Sequence, residues 1–183
     1  PCLHAAGPGG NGYHRLEPGR RAGSLRVMVG GGRRREPGSR VTCSRPGIPE
    51  DSRNLVHRAA VAFLQATGAD LAGVHIHIDK AVPPQAGLGG GSSDAAAALV
   101  GLDALAGSRL EDSALHDMCL ALGADVPFLL QGGCALAQGI GERLTPLAAG
   151  LPACTLLIAK PAAGVSTQGA YRAYDELAQP VHR

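Results

Sequence analysis

"AGLGGGSSDAAAAL", residues 86–99, places Gly87, Gly89, Gly90 and Gly91 directly before two serines, an aspartate and a run of alanines. The first half is too rich in glycine for an ordinary helix or strand, while alanine is the best helix former available. A glycine turn that runs straight into a helix is suited to anions. Amides at a helix N-terminus lack intrahelical partners and carry partial positive charge, and glycine lets the backbone close on an oxygen. The stretch therefore reads as a phosphate cradle. Ser92 and Ser93 would add hydroxyl donors or reach a magnesium ion, and Ser93 or Asp94 would cap a helix running over 94–106. Two better-known loops do not fit. No lysine follows the glycines as in a P-loop, and no G-x-G-x-x-G opens a βαβ unit with an acid beyond it. On the loop alone, a glycine turn holding no ligand stays open as the alternative.

The flanks set the loop between a strand and a helix. Upstream, "GVHIHIDKAVP" alternates Val74, Ile76 and Ile78 with His75, His77 and Asp79, the period of a half-buried strand. The two histidines share a face, but with no third ligand nearby they read as solvent-facing strand residues rather than a metal site. Before the strand, "RNLVHRAAVAFLQATG" has apolar residues at helical spacing and a terminating Gly68. Downstream come a helix over 111–122, short strand-like pieces between the glycines of 123–147, an apolar "CTLLIAKP" suited to a buried strand, and a last helix capped by Ser166 or Thr167. Helices and short strands interleave without a strict βαβ rhythm, so the expected class is α+β.

Composition narrows the function classes. The chain has 183 residues, enough for one domain with a core, or one domain and part of another. No apolar run is long enough for a membrane span and no signal peptide is evident, which gives a cytoplasmic expectation with no membrane partner. Five cysteines, odd in number and without a C-x-x-C pair, read as reduced thiols and not as a metal site. With no Trp, two Phe and three Tyr, stacking platforms for single-stranded nucleic acid are lacking. Charge is uneven. Residues 15–40 hold eight arginines against Glu17 and Glu36, a local balance of +6 in a chain whose net charge is +2, so the remainder carries −4. That segment, rich in Gly, Pro and Arg, reads as loop. A basic RNA-binding patch, an irregular insert and a shifted reading frame in GC-rich DNA are its alternative explanations, and the patch is disfavoured because no aromatics interleave with the arginines.

The longer stretch "PPQAGLGGGSSDAA", residues 83–96, resembles the P-x-x-x-G-L-G-S-S-A-A loop of the kinase superfamily that includes galactokinase, homoserine kinase, mevalonate kinase and phosphomevalonate kinase. Three glycines followed by S-S-D-A-A are similar to the form found in the 4-diphosphocytidyl-2-C-methyl-D-erythritol kinase family. "NGYH" at 11–14 is similar to that family's D-G-Y-H, with Asn11 in place of Asp, and "NLVHRAA" at 54–60, the stretch 122–147 and the stretch 160–174 follow in the same order.

The resemblance implies an N-terminal domain of that superfamily, ribosomal protein S5 domain 2-like, over 1–160. The start of a largely missing C-terminal domain would follow over 161–183. It implies ATP and Mg2+ as cofactors and a cytidine diphosphate-linked methylerythritol as the small-molecule substrate. No nucleic acid partner is implied, and the chain would be a monomer or weak homodimer. Pro83, Ala86, Gly87, Leu88, Gly89, Gly90, Gly91, Ser92 and Ser93 would hold the nucleotide. Asp125 would be the catalytic base, although on the residues alone it is as readily a loop acid or helix cap. Tyr13, His14 and Tyr171 would bind the cytosine ring, and Lys80 is either a phosphate-steering cation or an exposed strand-end lysine. The family's upstream lysine strand and later glycine motif have no counterpart here, and the arginine-rich 15–40 replaces expected apolar strands. A homoserine kinase-like enzyme and a non-catalytic nucleotide-binding remnant are the competing readings.

Overall fold

The computed structural model describes residues 2–4, 13–17, 24–29, 39–69, 71, 73–107, 110–148, 150, 155, 157, 159 and 166–177. Its centre is β5 (Val74–Asp79), whose alternation puts Val74, Ile76 and Ile78 into the core at 2% exposure or less. Around it lie β1 (Cys2–His4), β2 (Tyr13–Glu17), β3 (Ser24–Val29) and β4 (Arg40–Cys43), in the sheet order β1-β2-β3-β5-β4. All neighbours are antiparallel except β4 and β5, which run parallel.

Two of these strands overturn the expectation that residues 15–40 form only loop. "SLRVMV" pairs with β5 so that Leu25 faces Ile78 and Val27 faces Ile76, and both Leu25 and Val27 are buried while Arg26 is exposed. Arginine on the open face of a half-buried strand loses no hydration, so a period of two survives inside a segment whose average composition is polar. Residues 15–17 likewise belong to β2. The glycine-rich pieces 18–23 and 30–38 lie outside the described residues. β4 was also hidden, because its four residues are too few to show a period.

Parallel strands need a crossover, supplied by α1 (Leu55–Thr67) between β4 and β5. α1 buries Val56, Ala59, Ala60 and Phe63 against α2 (Gly90–Ala106), which buries Ala95, Ala96, Ala98, Leu99, Gly101 and Leu102. Small residues at these positions let the two helices approach each other and the sheet closely. α3 (Asp112–Leu122) and α4 (Val126–Gln131) pack on this pair from the far side. α4 corrects the expectation of strand pieces alone over 123–147. Its six residues show no alternation, and Pro127 sits in its first turn, where a missing amide costs nothing. The later part of that stretch does form a hairpin, β6 (Ala135–Gln138) with β7 (Arg143–Pro146).

α5 (Thr167–Asp175) starts at Ser166, whose hydroxyl accepts from the Gly169 amide, as the sequence predicts. "CTLLIAKP" falls mostly outside the described residues. Its described members Thr155, Leu157 and Ala159 are exposed, Leu157 to 96%, so the expectation of burial fails where it can be read. Among the described cysteines, Cys43, Cys119 and Cys134 are free thiols, and burial pushes the Cys119 thiol up to about 11. No described helix is long and apolar enough to cross a membrane.

His75 and His77 are half-buried rather than solvent-facing. One Thr42 hydroxyl lies 2.9 Å from His75 Nε2 and 2.9 Å from His77 Nδ1, and no group of three or more metal-ligating residues occurs among the described residues. Partial burial, then the nearby Arg40 and His77, hold the His75 pKa below its ordinary value.

Candidate active site

The end of β5, the glycine loop and the starts of α1 and α2 enclose a cleft of about 420 Å3, within the range of small-molecule sites. Of the nucleotide-loop residues predicted from sequence, Pro83, Ala86, Gly87, Leu88, Gly89, Gly90, Gly91 and Ser92 all line it. Ser93 does not. Its hydroxyl donates to the Gly90 carbonyl at 3.1 Å, inside the helix.

α2 starts four residues earlier than the sequence predicts. Gly89 is the N-cap, with a left-handed φ of 63°, and no side chain caps the helix, so neither Ser93 nor Asp94 has the capping role expected of it. The reason is local. Once Gly89 makes the left-handed turn, the next residues are free to be helical, and the serines fall inside the first turns.

Gly90 is required for a different reason. A Cβ there would lie 2.9 Å from Val82 Cγ1 and 3.0 Å from Lys80 Nζ, closer than real side chains pack. Lys80 is therefore no exposed strand-end residue. Its side chain is 7% exposed and its ammonium donates to Asp94 Oδ2 at 2.5 Å, while its backbone amide donates to Ser44 Oγ. Burial pushes the Asp94 carboxyl above its ordinary value, opposed by the hydrogen bond and charge of Lys80. Gln85, also on the loop, takes a left-handed φ of 54°, uncommon outside glycine.

The opposite wall was not anticipated as part of the site. It comprises Ile48, Pro49, Arg53, Asn54 and Leu55. Asn54 caps α1, accepting from the Val56 amide at 2.9 Å and donating to the Pro49 carbonyl at 2.7 Å. The Arg53 guanidinium forks onto Asp51, 2.9 Å to Oδ1 and 2.7 Å to Oδ2, and these bonds hold the Asp51 pKa down to about 2. The sequence signal for this wall was the stretch "NLVHRAA" at 54–60, an asparagine opening a helical run, which does not by itself say that a cleft lies beside it.

Asp125 is exposed at the N-cap of α4 and makes no capping bond; it is not among the residues lining the cleft. It opens a helix that packs on α2. Its carbonyl accepts from the Leu129 amide one turn on, and Leu129 Cδ1 would lie 3.1 Å from a Cβ on Gly89. Tyr13 and His14 lie in β2, opposite Met28 and Val27. Tyr171 is on α5, 69% exposed.

Residues 54–133 match the family described as GHMP kinases N terminal domain. The chain is 50% identical over 143 residues to a 4-diphosphocytidyl-2-C-methyl-D-erythritol kinase of Synechococcus sp. (strain JA-2-3B'a(2-13)), an alignment covering 76% of this chain and 45% of the relative. A crystal structure of 4-(cytidine 5'-diphospho)-2C-methyl-D-erythritol kinase superposes with a TM-score of 0.56 at 39% identity, over 75% of this chain and 44% of that one. Homoserine kinase from Cytophaga hutchinsonii shares the fold, with a TM-score of 0.58 at 21% identity over 74% of this chain and 45% of that one. The chain thus spans about half the length of the relatives it matches. Over residues 54–133 the chain thus matches the GHMP kinases N terminal domain, and the fold built around its glycine loop is similar to that of the 39% identical kinase structure.

Proposed function

We propose that the chain is the nucleotide-binding part of a kinase that transfers the γ-phosphoryl group of ATP to the 2-hydroxyl of 4-diphosphocytidyl-2-C-methyl-D-erythritol. The observation that carries this reading is the start of α2. A helix N-terminus without a side-chain cap opens onto a cleft where glycine backbone takes the place of side chains. Amides so exposed favour phosphate, and phosphoryl transfer asks a protein mainly for positioning and charge stabilisation. The resemblance of residues 83–96 and the 50% identity to a relative of that name supply the substrate class.

The chain's own residues divide the work as follows. Pro83 and Ala86 to Ser92 shape the phosphate site, with the amides of Gly90 and Gly91 as donors and the Ser92 hydroxyl as an added oxygen or donor, while Ser93 is held inside α2. Asp125 accepts the proton of the substrate hydroxyl as that oxygen bonds to the γ-phosphorus. The bond from phosphorus to the β,γ-bridging oxygen breaks, and ADP leaves. Tyr13 and His14, with Tyr171, hold the cytosine ring. Mg2+ would supply charge neutralisation on the phosphates. With no cluster of three carboxylate, histidine or cysteine ligands among the described residues, it would be held by the nucleotide and one or two protein oxygens, the usual manner for this ion. Residues 1–160 would form the ATP-binding domain and 161–183 the start of a second.

Calorimetric titration of ATP and of CDP, run beside coupled detection of ADP with the cytidylyl substrate and with homoserine, tests the proposal. Binding of ATP and turnover of the cytidylyl compound are expected. Asp125→Asn should abolish turnover and leave ATP affinity nearly unchanged; retained turnover in that variant would show that another group is the base. Binding without turnover favours a nucleotide-binding remnant, and phosphorylation of homoserine alone favours the homoserine kinase-like enzyme.

A further inference from the structure

The cleft contains a buried ion pair that phosphate binding by backbone amides does not require. We propose that Asp94 is a positioning residue for the loop. Its carboxylate pins the Lys80 ammonium above Gly90, so that the two ends of the strand–loop–helix turn are stapled before a nucleotide arrives. This rests on the nucleotide-binding reading and deepens it by naming what fixes the site's shape.

Three observations converge on the staple. First, Lys80 follows the last residue of β5 and Asp94 lies in the second turn of α2, so a single contact joins positions 14 residues apart and brackets the whole loop. Second, Lys80 is fixed at both ends, its amide by the Ser44 hydroxyl at 2.9 Å and its ammonium by Asp94. Third, the Cβ position of Gly90 is already occupied from the loop side, 3.0 Å from Lys80 Nζ and 2.9 Å from Val82 Cγ1. The bare backbone at 90 and the folded-back lysine thus fit each other, since a side chain at 90 would press on Val82 and push the ammonium from where it stands. Both partners line the cleft, with side chains 7% and 20% exposed. A buried pair is a poor source of net stability, because desolvation offsets its attraction, whereas pre-setting a loop is a use that stability alone does not explain.

The test is ATP titration by calorimetry into the full chain, with thermal unfolding measured on each protein. The set comprises wild type, Lys80→Met, Asp94→Asn, the double variant and Asp94→Glu. The expectation is that each of the first two single changes weakens ATP binding on the order of ten-fold or more, since a displaced loop is costly out of proportion to the shift. The double variant should be no weaker than the weaker single, and Asp94→Glu should recover most of the affinity. A pair with only a structural role would lower the thermal midpoint and leave the affinity of the folded protein unchanged. That result, or single effects that multiply independently in the double variant, would overturn the proposal while leaving the nucleotide reading intact. Failure of wild type to bind ATP would overturn both. Should Asp94→Asn alone fail to fold, the double variant leaves no unpaired buried charge, and wild-type affinity in it would overturn the proposal.

Discussion

Two helices begin at the walls of one cleft and solve the same problem in opposite ways. α1 starts with Asn54, whose side chain accepts from the Val56 amide and ties the chain back to the Pro49 carbonyl. α2 starts with Gly89, and no side-chain hydrogen bond caps it. Every helix leaves N-terminal amides without partners, and a cap is the usual remedy. Where the chain supplies the cap itself, the helix end is closed and its work is structural. Where it withholds the cap and also removes the Cβ atoms that would stand in the way, the amides are free for a ligand. The contrast predicts that changes at the start of α2 act on binding and changes at the start of α1 act on stability.

The largest expected effect is at Gly90. In Gly90→Val the new side chain must occupy space held by Val82 and the Lys80 ammonium, and it also covers the amide beside it. ATP binding by calorimetry should be lost, with a fall on the order of a hundred-fold or more, as misplacement of a binding loop allows. Affinity within a few-fold of wild type would show that the α2 amides are not the phosphate donors.

Next in size is the response to acid. Burial raises the Asp94 pKa above the ordinary aspartate value of 3.8, with Lys80 opposing the rise. The folded value being the higher one, the buried ionised carboxyl costs stability at neutral pH, and that cost is relieved as pH falls through the raised value. The same protonation releases Lys80. ATP affinity of wild type should therefore approach that of Asp94→Asn as pH falls from 7 towards the raised value, because protonated Asp94 resembles asparagine. Protonation of ATP itself is common to both proteins and cancels in the comparison. A constant ratio of affinities across that range would break the link between the carboxylate and the loop.

The two helix starts also differ in how far the sequence disclosed them. The glycine loop, the strand before it and the helix after it were legible because Gly, Ser and Ala signal locally and because β5 alternates without interruption. The exact start of α2 was not, since serine and aspartate after glycine suggest a cap, and only the left-handed Gly89 decides otherwise. β2 and β3 were hidden by composition. Eight arginines over 15–40 obscure a two-residue period whose apolar members become meaningful only when β5 lies alongside. The cleft's second wall was illegible for a third reason. Nothing local says that Arg53 and Asn54 will face residues some thirty positions later; the parallel β4–α1–β5 crossover does that.

At the start of α1 the expected effects are smaller and of another kind. Asn54→Ala removes a cap and a tie to Pro49, and should lower unfolding stability by about 1 kcal/mol, typical for such a cap. The affinity of the folded protein for ATP should hardly change. A loss of affinity as large as that of the Asp94 variants would mean that both helix starts serve the ligand, and the contrast would fail.

The smallest effect is expected one residue earlier. Arg53 grips Asp51 with two bonds and lowers its pKa to about 2, yet the side chains are 75% and 55% exposed. An exposed pair this close in sequence is screened by water and salt, and holding two side chains in one pose offsets what attraction is left. Since the folded value of Asp51 is the lower one, its contribution to stability exists at neutral pH and is lost as pH falls towards 2. Screening keeps that contribution small, so Asp51→Asn should leave the thermal midpoint at pH 7 unchanged within error. Its effect on ATP should be nil if Arg53 belongs, like Asn54, to the closed helix start. A gain in affinity would instead show that Asp51 restrains a guanidinium otherwise available to phosphate, and would move Arg53 to the binding side of the comparison.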